Sequence, residues 1–292
     1  MKNLCFTVLI ASMLAAVQSC IPHNSPELHC ARLEVTDITT TSAKISLSVL
    51  CKSPKIIDAG IFWGASANPE IDGTRVSLGN GIYEGQIELT CLTPGTEYLV
   101  KPYIQTAADN LITGAVHPVT TAPWDVFTDE RDGRTYKVVT IGNQTWMAEN
   151  LRYEVPGATC YDNLNANCDE YGLLYTWEQA LAAVPAGWHM PSKEEVEILV
   201  SNFGSLQEAY NQLIVGGCSQ FNGKFGGVLN HPPYSNYFGI ELYGDFWTTT
   251  EQNPSWVWIL DLNIYDQYAI IAGDRKARGF SLRCIKDTPG GQ

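Results

Sequence analysis

Phe127–Leu151, FTDERDGRTYKVVTIGNQTWMAENL, is the stretch of this 292-residue chain from which the rest can be read. Asp132-Gly133 and Gly142-Asn143 each sit between alternating strand residues, with Tyr136, Val138 and Thr140 on one face and Val139 and Ile141 on the other. Such dipeptides supply the positive φ that tight hairpin turns need, so two β-hairpins are predicted. The acids of DERDG invite comparison with a calcium loop. Their spacing and length do not match an EF-hand, and Asp-Gly is read as a turn.

Further landmarks follow in order: Cys160-Tyr161-Asp162, Tyr171-Gly172 through Tyr175-Thr176-Trp177, Pro185-Ala186-Gly187-Trp188-His189, Phe246-Trp247-Thr248-Thr249-Thr250-Glu251 and Gly279-Phe280-Ser281-Leu282-Arg283-Cys284. Together with the opening stretch they resemble the Fibrobacter succinogenes major paralogous domain, over roughly residues 125–287. The resemblance implies a secreted or surface protein of a gut-type bacterium. It implies no particular chemistry.

Between the early and late strands, three helices are predicted from capping boxes. Thr176 with Gln179, Ser192 with Glu195, and Ser205 with Glu208 each precede an apolar stripe at helical spacing. Glu194, Glu195 and Glu197 then read as first-turn partners of the helix dipole and as solvated surface, not as a catalytic pair. Late strands are expected at Gly239–Tyr243, Phe246–Thr250, Trp256–Leu262, Tyr268–Ala272 and Phe280–Ile285. Strands, helices, then strands again imply an α+β domain with helices on one side of a mostly antiparallel sheet. Its layout is similar to C-type-lectin-like and formylglycine-generating-enzyme-like domains.

Working toward the N-terminus, Ala122-Pro123-Trp124-Asp125 is the linker, and Trp124 is expected to pack into the seam between two modules. Residues 30–121 form the first. Ala31–Ile38 and the alternating Ile45, Leu47 and Val49 read as antiparallel strands joined by Thr39–Thr41. That register sets Cys30 opposite Cys51, where a bridge would close the pair. Leu92–Tyr98, LTPGTEY, resembles the tyrosine corner of fibronectin type III sandwiches. Tyr98–Ile104 and Ala115–Thr121 follow as strands, with Pro102 expected at a bulge or an edge because it lacks a ladder donor. The fold class is therefore mainly β with α+β: a fibronectin type III-like β-sandwich, then an α+β C-type-lectin-like domain over residues 126–287 and a tail at 288–292. The resemblance implies a spacer role for the sandwich.

Residues 1–19 read as a signal peptide, with Lys2 before the apolar run Leu4–Val17, too short to span a bilayer. Val17-Gln18-Ser19-Cys20 resembles a bacterial lipobox, which implies lipidation of Cys20, a tether over 20–29 and an outer-membrane acyl anchor. Gln18 is unusual in that motif and leaves ordinary signal-peptide cleavage open. Ile21–Cys30 carries Glu27 as its one acid, so the side of the membrane stays open as well.

Seven cysteines remain after Cys5 and Cys20. None forms a CxxC pair and no His neighbours them at zinc-finger spacing, so no metal is expected. The family pattern implies a Cys160–Cys168 bridge. It also implies a cysteine before Pro-Ala-Gly-Trp as the partner of the terminal one. Val184 stands there, and Cys218 is expected to pair with Cys284 instead. Cys91 has no evident partner and is expected as a buried free thiol.

The net charge of −13 argues against nucleic-acid binding. There is no Gly-x-Ser-x-Gly elbow, His-Glu-x-x-His pair or phosphate-binding glycine loop, so no catalysis and no cofactor are expected. His189 is read as structural. Trp146, Trp177, Trp188, Trp247 and Trp256 fall within the family motifs and are assigned to the core. Tyr234, Tyr237, Tyr243, Trp258, Tyr265 and Tyr268 lie outside or at the edge of the motifs, among Asn, Asp and Gln. Flat aromatic faces beside amides and carboxylates suit a saccharide, and these six are the candidate glycan-binding residues. A protein partner on an adhesion subunit with no sugar site is the alternative.

Overall fold

The computed structural model describes residues 28, 31–50, 55–81, 84–230 and 236–288. The signal segment, Cys20, Cys30, Cys51 and Tyr234 lie outside the described residues.

The first module contains β1 (Ala31–Thr36), β2 (Ala43–Val49), β3 (Ile56–Gly64), the single turn α1 (Pro69–Asp72), β4 (Thr74–Ser77), β5 (Glu84–Leu89), β6 (Glu97–Thr106), β7 (Leu111–Thr113) and β8 (His117–Thr120). One sheet runs β1-β2-β5 and the other β4-β3-β6, with β7 and β8 both on the outer side of β6. This is the expected fibronectin type III-like order. In β2, Ala43, Ile45, Leu47 and Val49 are buried while the residues between them are half exposed, the alternation of a strand with one covered face. Ala31 faces Val49, so the register runs as expected toward the Cys30–Cys51 end, which itself lies outside the described residues. The corner forms: the Thr93 N–H donates to the Tyr98 hydroxyl oxygen at 2.8 Å.

Pro102 lies in the interior strand β6, opposite Ile61. β8 covers Glu97–Val100 and β7 covers Tyr103–Gln105, so Pro102 falls in the gap between them. Its carbonyl accepts from Gly114 N–H at 2.8 Å, and its missing donor faces the break.

The second module opens with β9 (Asp125–Thr128), β10 (Thr135–Ile141) and β11 (Gln144–Met147), joined by the two expected hairpin turns. Gly133 and Gly142 take φ of +74° and +58°, values that suit glycine. Next come α2 (Asn165–Tyr171), α3 (Trp177–Ala183), β12 (Trp188–His189), α4 (Lys193–Ser201) and α5 (Leu206–Leu213). Thr176 and Ser192 complete capping boxes. Ser205 accepts from Glu208 N–H, but the Glu208 carboxylate turns to Gln212, leaving that box half formed. α2 was not expected. Its N-cap is Leu164, with no side-chain capping bond, so it carries no capping signature.

The chain finishes with β13 (Val228–Leu229), β14 (Tyr237–Phe238), the long strands β15 (Tyr243–Asn253), β16 (Trp256–Asn263) and β17 (Ala269–Arg275), and β18 (Ile285–Lys286). β18 inserts between β11 and β12, tying the end of the domain to its beginning. Phe280–Ile285 is not the expected strand: it follows bridges at Phe280 and Ser281, and only Ile285 joins a ladder.

The β15–β17 sheet is covered on both faces. Trp247, Val257 and Ile259 join one core with Ala180 and Ala183 of α3. Phe246, Leu260 and Leu262 join another with Val196 and Leu199 of α4 and Leu213 of α5. The helices therefore divide between the two faces instead of sharing one. A sheet buried on both sides reads as continuous apolar sequence, which is what Trp256–Leu262 shows.

Family-motif side chains hold this domain together. Arg283 is buried and donates to Asn150 Oδ1 at 2.8 Å, Asn222 O at 2.6 Å, Met147 O at 3.3 Å and Phe221 O. Asn150 in turn donates to Tyr171 O and Ser281 Oγ. Burial lowers the Arg283 pKa to about 9, a measure of how completely it is removed from water.

Two disulfides join described residues. Cys160–Cys168 forms as expected. Cys218 is bonded to Cys91 of the sandwich and not to Cys284, which is free and buried. The reason is position. Cys284 sits in the core with Tyr175, Trp188 and Met190. Cys218 lies in the surface loop after α5, within reach of exposed Cys91. Cys91 is thus neither buried nor a free thiol. The bridge spans 127 residues and joins the two modules. Trp124 lies at their seam, half buried, with Pro94 and Thr41 of the sandwich and Val139 and Phe203 of the second module lining the same 240 Å³ cleft.

Candidate functional site

Two clefts flank α2. The first, of 480 Å³, is polar, and Arg134, Arg152, Thr159, Asn163, Asn165 and Asp169 supply its hydrogen-bonding groups. Its wall is set by covalent and local constraints. The Cys160–Cys168 bridge lines it and pins α2 to the preceding turn, where Asp162 and Asn163 take φ of +53° and +56°. Arg152 follows directly on the opening sequence stretch, and its backbone N–H donates to the Tyr136 hydroxyl at 3.2 Å. Thr159 lines the cleft, and its Oγ1 is buried without a partner among the described residues. Glu154 stands at the rim, 81% exposed.

The second cleft, of 340 Å³, is mainly apolar, with Tyr171, Tyr210, Phe225 and Ile264 on its walls and Glu170, Lys224 and Glu241 at the margin. Burial and the hydrogen bond to Glu241, 2.8 Å away, push the Tyr171 hydroxyl up to about 12. Beside it Val215, Ile264 and Tyr265 are exposed.

The six aromatic candidates do not share one face. Tyr237 donates to Asn163 Oδ1 at 3.0 Å and lies 5.3 Å from the Tyr161 ring, at the edge of the polar cleft. Its strand neighbour Phe238 points the other way, 5.7 Å from Tyr243, which is 5.9 Å from Tyr265. Tyr268 is exposed on the turn between β16 and β17. Trp258 is near the other end of β16, half buried, with Lys193 Nζ 5.1 Å from its ring. Tyr234 lies outside the described residues. Of the motif tryptophans, Trp256 is 36% exposed, with Arg275 over its ring, and is not a core residue.

Sequence reasoning missed the polar cleft residues. The signals were the Asn-rich segment between Cys160 and Cys168 and the arginines beside the hairpin stretch. None has a spacing that marks a site without the fold.

His189 has both ring nitrogens engaged, by Asp287 at 2.7 Å and Glu195 at 2.8 Å. Burial opposes its charge, but the two carboxylates outweigh it and hold the imidazole above its usual value. It joins the C-terminal segment to the start of α4.

Asp245 and Asp261 face each other across β15 and β16. Burial drives Asp245 far above the usual carboxylate range, and Asp261 adds to it. They are neighbours on paired strands of one sheet, and Asp245 is buried. Nor does any group of three or more His, Cys, Asp or Glu among the described residues stand placed for a metal ion. No helix among them is long and apolar enough to cross a membrane.

Residues 139–286, half of the chain, match the family model described as the Fibrobacter succinogenes major domain. No curated protein matches in sequence. Among solved structures, the chain is similar to a computationally redesigned β-sandwich protein at 23% identity, with 32% of this chain and 94% of that one covered and a TM-score of 0.28. It is similar to the sixth fibronectin type III domain of human fibronectin type III domain containing protein 3 at 19% identity, 33% and 86% coverage and a TM-score of 0.28. The sensor domain of an anti-sigma factor from Pseudobacteroides cellulosolvens matches at 18% identity, 32% and 93% coverage and a TM-score of 0.25. The strand order is what makes the first module fibronectin-like. A domain of this family description behind such a module is the make-up of a surface or adhesion-type protein.

Proposed function

We propose that this chain, which belongs to the Fibrobacter succinogenes major domain family, is a non-catalytic outer-membrane lipoprotein that recognises an extracellular glycan in the polar cleft beside α2. The observation that carries this is the cleft itself. Its 480 Å³ suits one or two sugar units, and its amides, carboxylate and guanidinium are the groups that bond hydroxyls. The lipobox-like Val17–Cys20 supports an acyl anchor, and the fibronectin-like module sets the recognition domain off from the membrane. The non-catalytic reading is supported by the burial of Asp245, the partner of Asp261 across β15 and β16, which leaves that pair without two accessible carboxylates.

The test is binding of the full chain, in mild detergent, to a panel of plant, microbial and host polysaccharides. Saturable binding that is lost in Asn165→Ala and kept in Trp258→Ala is expected, since Trp258 stands away from the cleft. Silence across the panel with folded protein, or equal loss in both variants, would overturn it.

The apolar cleft supports a second reading, a protein-contacting adhesion subunit. Val215 at 60%, Tyr265 at 65% and Ile264 at 38% exposure form an apolar margin of the kind that partner proteins cover. Envelope pull-downs that lose a partner in Val215→Glu and keep it in Asn165→Ala would favour that reading.

A further inference from the structure

We infer that the polar cleft selects a saccharide that carries a carboxylate, a uronic or sialic acid unit, and that Arg152 is the residue that captures it. This rests on the cleft being the glycan site. The two arginines of the cleft differ in how they are satisfied. Arg134 pairs with Asp132 at 3.2 Å and Glu154 at 3.6 Å and also donates to Arg152 O. Arg152 has no carboxylate within ion-pair distance among the described residues, and its guanidinium makes one long hydrogen bond, 3.5 Å to Asp169 O.

That is notable in a chain with 31 acids against 18 lysines and arginines, where partners abound. The guanidinium is also positioned. It lies 5.6 Å from the ring of Tyr136, which is fully buried and bonded to the backbone of Arg152 itself. A fork of N–H donors held over a fixed ring loses little freedom on engaging a planar carboxylate bidentately.

The rest of the cleft argues for a sugar around that carboxylate. A small acid alone would fill little of 480 Å³. Asp169 and Asn165 line the same cleft with groups that bond hydroxyls. Asp169 and the rim Glu154 also repel a doubly charged phosphate more than a singly charged carboxylate.

The experiment is calorimetric titration of the full chain with trigalacturonate and sialyllactose, against galactotriose and lactose as neutral counterparts. At low salt one acidic ligand is expected to bind about ten- to a hundredfold tighter than its neutral partner, the size of one charge-assisted contact. The two acidic arms tell uronate from sialic acid. Added salt should shrink the advantage. Arg152→Gln should abolish it, so that within that variant the acidic ligand binds no tighter than its neutral partner, and Arg152→Lys should keep part of it. Equal binding of acidic and neutral sugars by the unaltered chain, or a preference that survives Arg152→Gln, would overturn the inference and leave the glycan site standing. If the folded chain binds none of these sugars and the polysaccharide panel is also silent, both fall.

Discussion

The two modules are held together in different ways. The sandwich core is apolar from Leu28 to Val119, and among its described residues Thr106 and Thr121 are the buried polar side chains. The C-terminal domain buries Asp129, Asn150, Gln220, Asp245, Thr248, Asn263, Ser281 and Arg283. The cause is the backbone. In the sandwich the buried strands β2, β3 and β6 are paired on both sides, so their side chains need mainly to fill space. In the C-terminal domain long irregular segments cross the interior, and Asn150 and Arg283 bond the carbonyls that no ladder reaches. Such a domain has loops free to shape clefts, and its clefts lie where those loops meet α2.

The comparison breaks most sharply at Arg283. Arg283→Met leaves carbonyls of Met147, Phe221 and Asn222 without a donor in the interior. It should cost about 4 kcal/mol or more, seen as lost hydrogen-exchange protection at Phe246–Leu260 with Ile45–Leu47 unaffected. Equal loss in both modules would mean that they unfold as one unit. Leu47→Ala is the counterpart in the sandwich. Leu47 is fully buried, and the cavity should cost about 3 kcal/mol, lowering protection in β1, β2 and β5 only. Tyr98→Phe removes the acceptor of the Thr93 N–H and should cost about 1 kcal/mol by urea unfolding.

The smallest effect sharpens the contrast through pH. His189 has a raised pKa in the folded state, so its stabilising contribution is complete below the unfolded value of about 6.5 and is lost as pH rises through the folded one. The ring is 39% exposed, which screens the effect. The C-terminal domain should lose a little stability on going from pH 6 to pH 8, and His189→Gln should flatten that slope. The sandwich should show no such slope in its own exchange.

These differences also explain what the sequence revealed. Where a strand alternates, as in Ile45, Leu47 and Val49, side-chain pattern and register are one signal, and β1 and β2 were readable to within two residues. The capping boxes of α3 and α4 were equally local. α2 was hidden because a disulfide and a left-handed turn start it instead of a cap. The Cys91–Cys218 bridge was hidden because it crosses modules, and pairing by elimination within one domain cannot see across a seam. The aromatic candidates were chosen by residue type, yet among the described ones Tyr237 alone stands at the edge of the polar cleft, because Phe238 and Tyr243 turn to the opposite side of β14. Arg152, Thr159 and Asn165 became a site only when the hairpin and the α2 turn met. No local pattern records that meeting.

The most direct test of the account is hydrogen exchange of the full chain with and without a bound oligosaccharide from the panel. The account expects new protection confined to residues 152–169 at the polar cleft. Protection centred instead on Val215 and Ile264–Tyr265, or in the sandwich, would contradict it.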